Sequence, residues 1–251
     1  MLIRSCLVAL TGLSLSYYAF AAPGNPERLP SQIDPNISPA GFELSRAELV
    51  SRYSDIEEGS QQVENKKIVC PFLRMLERAG LFNPELETQS TLTVGIIKIA
   101  SYAREFGCVV AGCGGVAAAV SAGQVTELAS TPGKVNVEAL HKALGISHEC
   151  GLTFAKGGSV VDDATRDSTL AALKERADTL GRLTFDDLEA VKLSICEAQD
   201  VKISAPGRVE IGLIYTFLGG NERGFIDYDD VVRFFHAELP KTLGRPGIAT
   251  H

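Results

Sequence analysis

Cys70-Pro71 is the pair of residues in this chain with the clearest chemical consequence. Proline has no backbone N–H but starts helices well, so the cysteine before it falls at the N-cap. There the helix dipole and the free amides of the first turn stabilise negative sulfur. A thiolate held in this way suits a haem iron, because it stays deprotonated and pushes electron density onto the metal. A buried, helix-starting thiol is the plainer alternative. The cysteine count bears on the choice. The chain has six cysteines, and Cys6 lies in a segment that reads as a secretory signal over residues 1–21. That segment has a basic start at Met1–Arg4, a mostly apolar run at Cys6–Leu15 and small residues at Ala19-Phe20-Ala21. Ser and Thr interrupt the run, which argues against a membrane anchor. Cys70, Cys108, Cys113, Cys150 and Cys196 then remain in an oxidising compartment, where paired thiols become disulfides. Five is odd. One thiol is left for an intermolecular bridge, a nucleophile or a metal ligand. Four cysteines allow three pairings, of which Cys108–Cys113 with Cys150–Cys196 is the favoured set.

Other constellations are poorer. Cys108, Cys113, His141, His148 and Cys150 lack the paired spacing of a structural zinc site. The chain shows no nucleophile elbow and no phosphate-cradling glycine loop. Asp162-Asp163 reads as a solvated turn. His141 and His236 read as structural.

The elements that must position these residues are helical. Residues 22–65 form a Pro-, Ser-, Asn- and Glu-rich leader, with a short helix expected near Arg46–Tyr53 and a glycosylation sequon at Asn36. Pro71 opens a helix that Gly80 closes, with Phe72, Leu73 and Leu76 on one face. Thr93–Phe106 reads as an amphipathic helix with Val94, Ile97, Ala100 and Ala103 on its stripe. Val110–Ala122 is rich in Ala, Gly and Val and reads as a buried helix. Further helices are expected at Asn136–Leu144 and Arg166–Leu180. Another opens at Thr184 with a capping-box Asp187 and runs to about Asp200. The last two are expected at Arg208–Leu218 and from Asp227 to Leu239. No alternating strand is evident. The expected fold is all-α, one helical domain over residues 66–246.

Composition is that of a globular protein. The chain has 251 residues, 45% hydrophobic and 22% charged, which is not the composition of disorder, collagen or a coiled coil. Net charge is −7, and near −8 once Arg4 leaves with the signal, the wrong sign for binding nucleic acid. There is no Trp, which weakens a case for base stacking. No later segment is long and apolar enough to span a membrane.

Three segments carry a family resemblance. VCPFLRMLERAGLF (Val69–Phe82) resembles the proximal segment of the fungal haem-thiolate peroxidases, the chloroperoxidases and unspecific peroxygenases. LHKALGISHECGLTF (Leu140–Phe154) resembles their stretch around Glu-His-Asp, and VRFFHAELPKTLGRP (Val232–Pro246) their C-terminal segment. Val69 stands where the family has the first Pro of Pro-Cys-Pro. In the ungapped register, Ser147, His148 and Glu149 fall on Glu-His-Asp, and Gly151 falls on the following Ser.

The resemblance implies a chloroperoxidase-like helical domain with haem b, its iron bound by Cys70. It places the distal carboxylate at Glu210, in RVEIGLIYTFLGG, with His148 as its partner. Val209, Ile211, Leu213 and Ile214 flank Glu210, and apolar surroundings raise a carboxyl's pKa toward working pH. Read without the resemblance, Glu210 is a solvent-facing residue of a helix's first turn. The family also binds magnesium or manganese beside a haem propionate. A register shifted by two supplies Glu149 and Thr153 as its ligands. The function so implied is a secreted peroxidase or peroxygenase, taking hydrogen peroxide and a small organic substrate or a halide. The alternative is a secreted helical binding or effector-like protein of the same fold.

Overall fold

The computed structural model describes residues 63–82, 91–105, 108 and 110–241. The segment read as a signal (residues 1–21), most of the expected leader, Asn36, the helix expected at Arg46–Tyr53 and the chain after residue 241 lie outside them. Over the described part the protein is 56% helix and 6% strand. The expectation of a predominantly helical fold therefore holds.

Helix α1 (Pro71–Arg78) is buried along nearly its whole length. Pro71 occupies its first turn, and Gly80 follows in the left-handed region at φ 76°, where a glycine ends a helix without strain. Phe72, Met75 and Leu76 are buried on it. Phe72 stacks on Phe217 at 4.6 Å, and Phe217 meets Phe234 at 6.3 Å. These contacts join α1 to α6 (Ala205–Phe217) and α8 (Tyr228–Phe235).

Two short antiparallel ribbons correct the expectation of a strandless chain. β1 (Thr93–Gly95) pairs with β2 (Lys134–Asn136), Val94 opposite Val135. β3 (Arg182–Leu183) pairs with β4 (Ile226–Asp227). Because Thr93–Gly95 is spent on a ribbon, the helix behind it, α2 (Ile96–Glu105), starts late and in a different phase. Ile97 is 80% exposed as a result, and the buried stripe is Ile99, Ala100 and Ala103.

α3 (Val110–Leu128) packs against α2 and runs six residues beyond its expected end. Its small side chains do allow close approach. A Cβ on Gly123 would lie 2.7 Å from the Leu144 backbone nitrogen and oxygen. The stretch capped by Asn136 is a 3-10 helix over Val137–Lys142, not an α-helix. Asp162 is no solvated turn residue: its carboxylate caps α4 (Asp163–Arg176), accepting from the Thr165 amide at 2.8 Å. The capping box of Thr184 and Asp187 opens α5 (Phe185–Ala198) as expected. Asp227 precedes α8 but makes no cap bond. Its carboxylate takes Arg223 of the short α7 (Gly220–Arg223) at 2.5 Å.

Both favoured disulfides are present, Cys108–Cys113 and Cys150–Cys196, and Cys70 is left free. Glu64, near the end of the stretch read as leader, is bound into the domain. Its carboxylate meets Arg74 at 2.7 Å and Arg166 at 3.0 Å. Arg74 is fully buried and also donates to the Ile68 and Phe235 carbonyls at 2.7 and 2.9 Å.

Candidate functional site

α1, α2, α3, α6 and the loop after the 3-10 segment line an apolar cavity, open on one side, with an interior of about 180 Å³. That interior is smaller than the roughly 300–1000 Å³ of small-molecule and cofactor sites. Apolar residues such as Phe72, Val116, Val120, Leu213 and Phe217 form most of its wall. Three groups expected from the sequence reach it together: Cys70, His148 and Glu210.

Cys70 is half-buried at the N-cap of α1. Burial pushes its thiol pKa up. The Leu73 and Phe72 amides, with the Arg74 guanidinium, pull it down without cancelling that effect. The helix start thus favours negative sulfur as expected, but burial outweighs it and the thiol is not deprotonated by its surroundings alone. A coordinated metal deprotonates a thiol outright, so the position is compatible with iron ligation.

Glu210 departs further from expectation. Its neighbours in sequence are apolar, but its neighbours in space are not. Lys192 of α5, whose side chain is fully buried, forms an ion pair with Oε2. His148 Nε2 stands 3.2 Å from the same oxygen. Burial acts to raise the Glu210 pKa, yet Lys192 and His148 together outweigh it and carry the carboxyl down to about 2. The expected upward shift is therefore reversed, and Glu210 is a carboxylate at working pH.

Sequence reasoning missed Lys192. Its signal was positional: it falls on the buried stripe of α5 with Leu188, Val191 and Cys196. Lys192 Nζ also donates to the Cys150 carbonyl at 2.6 Å, and so braces the loop that carries His148. His148 is further held by Phe154, ring to ring at 5.2 Å. His141, read as structural, also lines the cavity, and burial lowers its pKa. His236 is away from it.

The two possible cation ligands are not presented to the cavity. Glu149 is exposed. Thr153 is buried, with its hydroxyl directed at the Val69 carbonyl at 3.5 Å. Ser147 lines the cavity mouth. Among the described residues no three His, Cys, Asp or Glu side chains converge as a metal site, and no helix is long and apolar enough to cross a membrane.

The chemistry of the donor set, though not the narrow interior of the cavity, is compatible with a haem thiolate. One free thiol stands at a helix N-terminus, and the walls around it are apolar. A carboxylate–imidazole pair shares the same space. Comparison of the chain with protein-family models, curated proteins and solved structures returned no match.

Proposed function

We propose that this is a secreted haem-thiolate peroxidase or peroxygenase of chloroperoxidase-like fold. It uses hydrogen peroxide to oxidise or oxygenate small organic substrates, or to oxidise halides. One observation carries the reading. The one free cysteine among the described residues shares an apolar cavity with the Glu210–His148 pair. Cys70 would hold the iron of haem b through sulfur. When bound, haem supplies the redox chemistry that activates peroxide and oxidises the second substrate.

The work of the chain's own residues is proton handling. Glu210, ionised at working pH, accepts a proton from one peroxide oxygen and returns it to the departing one. Such help is typically worth about 10²–10⁴-fold. His148 holds the carboxylate in one orientation. The apolar walls keep bulk water from competing for that proton. Glu149 and Thr153 stay outside the proposal, and no magnesium or manganese is assigned.

The ferrous carbon monoxide spectrum of the purified protein tests this reading. Thiolate ligation gives a red-shifted Soret band, and Cys70→Ala should lose it. A protein that takes up no haem, or a Cys70→Ala variant with parental haem content and spectrum, overturns the proposal.

The ion pair with Lys192 favours a second reading, a secreted helical binding protein on the same fold. A carboxyl held at about 2 is far from the pKa of an efficient general acid. The cavity would then take an apolar ligand in place of haem, and the same spectrum separates the two.

A further inference from the structure

The peroxide chemistry proposed above uses Cys70, Glu210 and His148 and leaves Lys192 without a role. Burying an ammonium costs several kcal/mol unless its partners are well placed. Leu or Met would fill the α5 stripe without that cost. The donors of Lys192 therefore need local partners, and two of the three have one. One goes to the Cys150 carbonyl at 2.6 Å and another to Glu210 Oε2. His148 Nε2 approaches the same Oε2. Both partners of the carboxylate thus sit on one oxygen, and Oε1 has no hydrogen bond among the described residues.

We propose that Lys192 is a positioning residue: it ties Glu210 through Oε2 to α5 and to the Cys150 carbonyl, leaving Oε1 as the oxygen available to the cavity.

The charged and titratable groups acting on Glu210 come from three places. They are Lys192 on α5, His148 on the loop, and Cys70 at the start of α1. Of these, Lys192 is the strongest force toward the ionised form. A carboxylate fixed this way accepts a proton even in acid, so the acid limb of any peroxide reaction is set by Lys192. The kinetic part of this inference rests on the peroxidase reading; the positional part does not.

The test is a titration of the Glu210 side-chain carboxyl by ¹³C NMR in the full chain as purified. Comparison with Glu210→Gln identifies its signal. The parent should titrate well below the ordinary 4.5. In Lys192→Met the midpoint should rise by about 1–3 units. The acid limb of peroxide consumption should move up with it, while the KM for the organic donor stays unchanged. Lys192→Gln keeps a donor for the Cys150 carbonyl but loses the charge, and should give the same shift if Lys192→Met does not fold. A parental midpoint at or above 4.5, or no shift in a folded Lys192 variant, overturns the inference. A shifted midpoint in a protein that never consumes peroxide sustains the positioning role and removes the peroxidase reading. Peroxide turnover with both midpoint and acid limb unmoved does the reverse.

Discussion

Lys192 and Cys150 are joined through the backbone: Lys192 Nζ donates to the Cys150 carbonyl at 2.6 Å. One turn further along α5, Cys196 closes a disulfide to the same residue. A single face of α5 therefore holds both the loop that carries His148 and the carboxylate that His148 meets.

Glu210→Gln consequently does more than remove a proton carrier. It leaves the fully buried Lys192 ammonium facing a neutral amide. Breaking a buried pair from one side costs about 3–5 kcal/mol. We expect a clear drop in the urea midpoint for Glu210→Gln, and recovery of most of it in the Lys192→Met/Glu210→Gln double variant. Strictly additive losses would show that the two residues are not coupled.

The two disulfides should contribute unequally. Cys150–Cys196 spans 46 residues and Cys108–Cys113 spans 5. Loop-closure entropy then gives about 4 kcal/mol for the first and about 2 kcal/mol for the second. Paired Cys→Ala variants, compared by equilibrium unfolding, should keep that order. A larger loss from the short bridge would point to local packing in place of chain entropy.

Glu77 makes stability depend on pH. Its carboxyl is buried on α1, and one of its oxygens has no hydrogen-bond partner. Burial, helped by the nearby Glu138 charge, raises its pKa from 4.5 to about 7. The folded state therefore binds the proton more tightly than the unfolded state. Glu77 favours folding most below 4.5, and that contribution fades as pH rises through 7. Glu77→Gln should be more stable than the parent at pH ~8, by on the order of 1–3 kcal/mol, and close to it at pH ~4. Denaturation curves at the two pH values would settle this; a parallel offset at both would refute it.

Much of the framework was legible in the sequence because its signals are local. Pro71 and Gly80 bracket α1, Thr184 and Asp187 cap α5, and the leftover-thiol count fits the free Cys70. The misreadings share one cause, which is that a partner far along the chain decides. Thr93–Gly95 became a strand because Lys134–Asn136 pairs with it, and that pairing turned Ile97 outward. Glu210 looked apolar beside Val209 and Ile211, but its environment is set by Lys192 and His148, brought from other elements. Lys192 itself was passed over because a lysine on a helix is ordinarily solvated.

Glu64 also limits how far the N-terminus can be trimmed. Arg74 and Arg166 lie close enough to repel each other, and the carboxylate between them is what reconciles them. A protease cutting just after Glu64 would remove that shared counter-ion from two largely buried guanidinium groups. Arg74 also grips the Ile68 carbonyl, two residues ahead of Cys70. Such a cut would therefore loosen the start of α1 and with it the seat of the thiol, so one peptide bond outside the cavity governs whether the cavity keeps its sulfur in place.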